Sequence, residues 1–144
     1  MSVSIHVDTV IACDRTQLFH RLLDVERDPD WTSGLLRARR LDEGPLAVGS
    51  RVERVSKFLG REMVYTIEIT GLEEGERVDM VTTAGPFPMT VTYTLSDADG
   101  GTRMAITTAG DPKGFYKLTG PLLSGAVRRQ IALDLSLLKD LMES

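Results

Sequence analysis

The longest amphipathic segment of the chain runs from Pro121 to Met142. Its apolar residues recur at helical spacing, at Val127, Ile131, Leu135, Leu138 and Met142, with Ala126, Leu133, Leu137 and Leu141 beside them. Proline is well tolerated in the first turn of a helix, which suits Pro121. The pattern predicts one long helix, and its wide apolar face requires an extended partner.

Alternation of apolar and polar residues predicts that this partner is a β-sheet. The predicted strands are Val3 to about Ala12, Leu35 to Leu41, Arg51 to Leu59, Glu62 to Leu72, Arg77 to Ala84, Met89 to Ser96, and Arg103 to Ala109. Short turns join the last five strands, which predicts an antiparallel meander. Arginines interrupt the second strand, as expected at a sheet edge.

Two short helices are predicted between the first and second strands. Asp14 followed by Gln17 resembles a capping box at the start of the first helix. The charged segment from Val25 to Trp31 predicts a second helical turn. The expected fold is therefore an α+β single domain over residues 1–144, with a seven-stranded curved antiparallel sheet wrapped around the long C-terminal helix.

The alternation also separates the two faces of the sheet. The face predicted to contact the helix carries four of the six methionines and two of the three tyrosines: Met63, Met80, Met89, Met104, Tyr65 and Tyr93. Methionine adapts to irregular apolar space, and tyrosine adds a polar tip to an apolar body. The opposite face is rich in threonine and charge, which predicts that it contacts water.

Composition narrows the functional classes. Hydrophobic residues make up 42% of the chain, charged residues 26%, and the net charge is −4. These values are typical of a globular protein and argue against nucleic-acid binding. We expect no stable membrane insertion and, by default, a cytoplasmic location, because no apolar run is long enough to span a bilayer. A homodimer that pairs through the arginine-containing edge strand is left open.

Three segments carry a resemblance to a known superfamily: ACDRTQLFHRLLDVERDPDW, AVGSRVERV and the C-terminal DLSLLKDLMES. With the order of elements, they resemble the START-like (SRPBCC) superfamily, which includes polyketide cyclase/dehydrase, lipid-transport and Bet v 1-like proteins. The resemblance implies a helix-grip fold with a deep apolar cavity between sheet and helix. In that superfamily the cavity holds lipids, polyketide intermediates or aromatic compounds, and one fold supports many functions.

The resemblance and the strand alternation together predict the residues that would contact a ligand. They are Trp31, Arg54, Met63, Tyr65, Ile67, Met80, Thr82, Met89, Val91, Tyr93, Met104, Ile106, Leu123, Val127, Ile131 and Leu135. Trp31 is expected either near the cavity mouth or as a tryptophan of the core, and Leu123 is expected near the cavity's door. The apolar, glycine-containing segment from Gly114 to Gly125 is either a mobile lid or a packed helix start.

Arg54, Tyr65 and Tyr93 are the candidate catalytic residues. Arg54 shares strand parity with Val52, which places its guanidinium either inside the cavity or, if the strand flips, in solvent. An inward arginine would bind a carboxylate, a phosphate or an enolate oxygen. The sequence has no Ser-His-Asp or Cys-His pairing, no metal-ligand cluster and no nucleotide-binding motif, so we predict no metal and no cofactor.

Two functions follow from this pattern. The first is binding of a hydrophobic small molecule between sheet and helix. The alternative is a polyketide cyclase/dehydratase of the aromatase type that acts in the same cavity. The sequence leaves open whether the protein is an enzyme.

Overall fold

The computed structural model describes residues 3–112, 115–116 and 120–144. The strands are β1 (Val3–Ile11), β2 (Leu35–Arg40), β3 (Arg51–Phe58), β4 (Arg61–Glu73), β5 (Arg77–Ala84), β6 (Met89–Ala98) and β7 (Gly101–Gly110). Helix α1 (Arg15–Leu23) and a short 3₁₀ helix (Val25–Asp30) lie between β1 and β2, and helix α2 (Gly120–Glu143) ends the chain. The predicted α+β order of elements is confirmed.

The strands form a curved antiparallel sheet in the order β1-β7-β6-β5-β4-β3-β2. Register shifts in β4, one between Thr66 and Ile67 and one between Ile69 and Gly71, bend the longest strand. The sheet curls around α2, as the helix-grip prediction requires. Strand β2 lies at an edge as predicted, and the homodimer through this edge stays a prediction.

Helix α1 begins as its sequence predicts. The Asp14 carboxylate accepts hydrogen bonds from the backbone N–H groups of Thr16 and Gln17 and so caps the helix. Leu18, Phe19 and Leu22 are buried beneath it. The buried face of the helix is thereby part of the hydrophobic core.

The two halves of α2 pack differently. In the C-terminal half, Leu135 and Leu138 are almost completely buried in the hydrophobic core. In the N-terminal half, Leu123, Val127 and Ile131 face a cavity. The prediction for Leu133 and Leu141 was wrong, because their exposed fractions are 49% and 43%. The buried stripe of the helix is narrower than its apolar sequence indicates.

The helices of the described ranges include no segment with both the length and the apolar character needed to cross a membrane.

Candidate functional site

A cavity separates the concave face of the sheet from the N-terminal half of α2. Its outer compartment has a volume of about 220 Å³, and its walls are mainly apolar. Leu123, Val127 and Ile131 form the helix side, and Met63, Tyr65 and Met89 form the sheet side. Packing between helix and sheet is therefore incomplete in this half of the molecule.

An inner compartment of about 140 Å³ adjoins the outer one. Both are bounded by Thr32, Tyr65, Met89, Thr108, Ile131 and Asp134. The inner walls also include Trp31, Arg54 and Tyr93, and this end of the cavity is the more polar one. Together the two compartments reach the lower end of the roughly 300–1,000 Å³ range of small-molecule sites.

Aromatic side chains surround the outer compartment where the chain leads into α2. The Tyr116 ring lies 5.2 Å from that of Phe58, 4.9 Å from that of Phe115 and 6.0 Å from that of Phe87, measured between centroids. The guanidinium of Arg61 stacks 4.0 Å from the Phe115 ring and donates a hydrogen bond to the Phe115 carbonyl. Ring contacts of this kind form an apolar surface at this part of the cavity.

The lid predicted from Gly114 to Gly125 falls only partly within the described residues. Gly114, Lys117 and Leu118 lie outside them. Of the described residues, Tyr116 and Leu123 are buried at the cavity wall, whereas Leu122 has an exposed fraction of 68%. A mobile lid stays a prediction.

Arg54 points into the molecule and is only 6% exposed. Strand β3 carries it there because Val52 and Arg54 have the same parity and both are buried. Its Nη2 lies 3.8 Å from Oδ2 of Asp28, which the 3₁₀ helix places behind it. Burial opposes the charge of Arg54, yet contacts with Tyr65, Asp28 and Tyr93 raise its pKa and hold it cationic. The inner compartment therefore contains a permanent positive charge.

Asp28 is the partner of this arginine and is itself buried. Burial raises the pKa of Asp28 to about 7, against the opposing influence of the Arg54 and Arg21 guanidinium groups. The carboxyl therefore gains or loses its proton near neutral pH. The charge at the inner end of the cavity is correspondingly sensitive to pH.

Both candidate tyrosines lie near Arg54 at the inner compartment. The Arg54 guanidinium carbon lies 6.0 Å from the centre of the Tyr65 ring, and the Tyr65 hydroxyl is 3.1 Å from Oγ of Ser56. Tyr93 contacts the Trp31 ring at a centroid distance of 5.9 Å. Burial raises the pKa of Tyr93 above its ordinary value, so its hydroxyl keeps its proton and remains a hydrogen-bond donor.

Asp134 supplies a second carboxyl to both compartments from α2. Its Oδ1 accepts hydrogen bonds from the Ser33 backbone N–H at 2.8 Å and the Ser33 hydroxyl at 2.7 Å. Gln130, one turn earlier, donates to the Ser33 carbonyl at 2.8 Å. Burial raises the pKa of Asp134 to about 6, while the Ser33 hydrogen bonds and Arg54 act in the opposite direction. These contacts fix α2 to the segment between the 3₁₀ helix and β2.

The structure places most of the predicted ligand-contacting residues at the cavity wall. The outer compartment includes Met63, Tyr65, Met89, Leu123, Val127 and Ile131, and the inner one includes Trp31, Arg54, Ile67, Met80, Thr82, Val91, Tyr93 and Ile106. Met104 and Leu135 instead lie in the core, with exposed fractions of 0% and 1%. Trp31 lines the inner compartment and is 1% exposed, which matches the buried alternative rather than a position at the cavity mouth.

Sequence reasoning missed several residues of the site. Asp134 was not among the predicted ligand contacts, although it follows Val127 and Ile131 at helical spacing and therefore shares their face. Asp28 lies in a charged segment that carries no burial pattern, so only the tertiary fold identifies it. Phe58 and Phe87 also line the outer compartment. Phe87 follows Gly85-Pro86, a sequence that indicates a loop rather than a cavity wall.

Among the residues that the structure describes, no group of three or more His, Cys, Asp or Glu side chains is arranged to hold a metal ion. The ionisable side chains at or directly behind the inner compartment are Arg54, Tyr65, Tyr93, Asp134 and Asp28.

The fold agrees with comparisons to known proteins. The structure is similar to the Zhui aromatase/cyclase of Streptomyces (TM-score 0.79, 14% identity, 99% of this chain and 94% of that one). It is also similar to a START superfamily protein of Mycobacterium smegmatis (TM-score 0.79, 15% identity, 99% and 97%). A third similar structure is the major latex-like protein 151 of Panax ginseng (TM-score 0.77, 13% identity, 99% and 99%). At these identities the likeness establishes the fold alone.

No match to the sequence was found among the curated proteins. The sequence model of one family matches residues 2–143. This match spans nearly the whole chain and agrees with the helix-grip architecture described above. The chain therefore belongs to the family described as polyketide cyclase/dehydrase and lipid transport.

Proposed function

We propose that this protein binds a hydrophobic small molecule, a lipid, polyketide or aromatic compound, in the cavity between the sheet and the N-terminal half of α2. The observation that carries the proposal is the cavity itself. The inner face of the sheet and the facing side of α2 leave two adjoining compartments with largely apolar walls. Protein interiors are normally close-packed, so space on this scale favours a guest molecule.

The distribution of polar side chains favours a ligand that binds in one orientation. Arg54, Tyr93 and Thr32 lie at the inner compartment, and the aromatic cluster around Tyr116 lies at the outer one. A ligand with one polar end and an apolar body would place the polar end at Arg54 and its body among Met63, Met89 and Ile131. A small number of polar groups in an apolar site is the usual means of fixing ligand orientation.

Filling the cavity tests this proposal. Ile131→Phe adds a ring to a residue that borders both compartments, whereas Leu133→Phe adds the same group type to the exposed side of the same helix. We expect apolar aromatic compounds to raise the unfolding temperature of the wild type and of Leu133→Phe. A ligand at 100 times its Kd adds about 2.7 kcal/mol. The shift should disappear in Ile131→Phe, and equal shifts in all three proteins would contradict the proposal.

A second function is favoured by the grouping of Arg54, Tyr65 and Tyr93 at the inner compartment. A polyketide cyclase/dehydratase would need groups that stabilise an enolate oxygen and move protons during aldol condensation and dehydration. The guanidinium would stabilise the negative oxygen, and the protonated hydroxyl of Tyr93 would donate a hydrogen bond to a ketone. The family match supports this candidate.

Turnover of a poly-β-ketone separates the two functions. If the protein is a cyclase, the wild type forms an aromatic product that absorbs in the ultraviolet, and Arg54→Met with Tyr93→Phe reduces the rate by at least about a hundredfold. Unchanged product formation in the double variant would exclude this mechanism. If the protein binds the compound without turning it over, only the binding function would remain supported.

A further inference from the structure

Polar atoms at the inner end of the cavity, and directly behind it at Asp28, have no hydrogen-bond partner within the described residues of the protein. Within the described part of the chain, Oδ1 of Asp28, Oγ1 of Thr32 and Nε of Arg54 are buried without a hydrogen-bond partner. Buried polar atoms are nearly always paired in native proteins, so three at one place require an explanation. Thr32 and Arg54 both border the inner compartment. A ligand's polar end is the natural partner for this group.

These atoms define what the partner must offer. Nε of Arg54 is a donor, a carboxylate oxygen of Asp28 is an acceptor, and the Thr32 hydroxyl is both. A hydroxyl group on the ligand can donate and accept at the same time. A ligand carboxylate can only accept, and it would bring a further negative charge close to the carboxyl groups of Asp134 and of Asp28, which lies behind Arg54.

The charged groups at the inner end of the cavity also favour a ligand with a hydroxyl group. One permanent cation, Arg54, faces two carboxyl groups, Asp28 at 3.8 Å and Asp134 on α2. Asp28 is also influenced by Arg21 of α1, by Asp24 and by the Trp31 side chain, and Arg21 is itself paired with Asp30 at 3.0 Å. Tyr65 and Tyr93 complete the surroundings of Arg54. With both carboxyl groups ionised, the negative charge around Arg54 exceeds its own positive charge.

We propose, building on the proposed function, that the inner compartment selects a ligand whose polar end is an uncharged hydroxyl, as in a phenol, an enol or an alcohol. It disfavours a ligand with the same carbon skeleton that carries a carboxylate instead. Asp28 and Asp134 are then specificity-determining residues, because they offset the charge that would otherwise attract an anion. Like charges repel strongly in a buried setting. The inference narrows the sequence-based expectation that an inward Arg54 would bind a carboxylate, a phosphate or an enolate oxygen.

The direct test compares 2-naphthol with 2-naphthoate, two probes that share one ring system. At pH 8 the naphthol is neutral and the naphthoate is ionised, as expected from the ordinary pKa values of phenols and carboxylic acids. Equilibrium dialysis against the wild type should show at least about tenfold tighter binding of the naphthol. Equal affinities, or tighter binding of the naphthoate, would overturn this inference alone. Binding of neither probe would overturn the proposed function together with this inference.

Asp28→Asn identifies the residue responsible. The substitution keeps the shape of the side chain and removes its negative charge, so naphthoate affinity at pH 8 should rise about tenfold relative to naphthol affinity. Asp30→Asn is the matched control, since Asp30 is an exposed neighbour that pairs with Arg21 away from the cavity. An unchanged ratio of naphthoate to naphthol affinity in folded Asp28→Asn would assign the selectivity elsewhere and contradict the role of Asp28.

A pH series on the wild type provides a measurement that does not depend on folding of the variant. Asp28 takes up a proton as the pH falls through about 7. Naphthoate binding should therefore tighten several-fold between pH 8 and pH 6, while naphthol binding stays constant. Parallel pH profiles for the two probes would contradict the inference.

Discussion

The two halves of α2 differ in what lies beneath them. Under the C-terminal half, Leu135 and Leu138 pack into a core with Ile11, Leu18 and Met104, and these side chains are at most 1% exposed. Under the N-terminal half, Val127 and Ile131 face open space and a buried group of polar residues. One half of the helix stabilises the fold, and the other half forms a site. Apolar periodicity alone does not distinguish them.

Arg54→Met, at the polar end of the cavity, should destabilise the protein more than a single substitution in either half of α2. The variant leaves the buried Asp28 carboxylate without its partner, which typically costs about 3–5 kcal/mol. The loss of stability should reach this value at pH 8 and be clearly smaller at pH 5, where Asp28 is protonated in the folded state. Urea unfolding at both pH values checks this, and an equal loss at the two values would argue against a charged Asp28.

Leu135→Ala and Ile131→Ala compare the two halves of α2 directly. Leu135 is surrounded by core, so its truncation should cost about 3 kcal/mol. Ile131 already borders open space, so truncation enlarges an existing cavity and should cost about 1 kcal/mol. Both values come from urea unfolding curves. Equal losses would mean that the cavity half is as tightly packed as the core.

Asp134→Asn should change how stability depends on pH. The pKa of Asp134 is raised from its ordinary value near 4 to about 6, so between these values the unfolded chain loses the proton while the folded protein retains it. Asp134 therefore favours the folded state of the wild type at pH 4. As the pH rises to 7 this contribution is lost, and the free energy of unfolding should fall by about 2 kcal/mol. This contribution should be missing in the variant. A pH dependence identical to that of the wild type would contradict a raised pKa.

Leu133→Ala should have the smallest effect. Leu133 belongs to the apolar sequence stripe of α2, yet 49% of its surface is exposed. Exposed positions usually change stability by less than about 0.5 kcal/mol. A loss of stability above about 1 kcal/mol, measured by thermal unfolding, would instead indicate that Leu133 belongs to a wide buried stripe, as the sequence predicts.

The sequence predicted the fold well because its signals are local. Alternation identified every strand, and the Asp14 cap identified the start of α1. The same parity argument favoured an inward Arg54 beside Val52, although a flipped strand remained equally open. The structure resolved that choice in favour of the inward position, because both side chains are buried.

The polar part of the site was harder to predict because it depends on long-range packing. Asp28 becomes buried only when the 3₁₀ helix packs behind β3, and its own segment is charged throughout. The sequence also indicated which face of the sheet is internal without indicating how completely it is filled. Met104 was therefore predicted to contact a ligand, although the core closes around it.

Native mass spectrometry of the protein purified from its own host tests the central claim most directly. The measurement compares the wild type with Ile131→Phe, in which the added ring occupies the cavity, and with Leu133→Phe as the control. We predict that the wild type and Leu133→Phe carry the same hydrophobic small molecule as a non-covalent adduct and that Ile131→Phe lacks it. An adduct retained by Ile131→Phe, or absent from all three proteins under conditions that keep them folded, would contradict a ligand-binding cavity beneath α2.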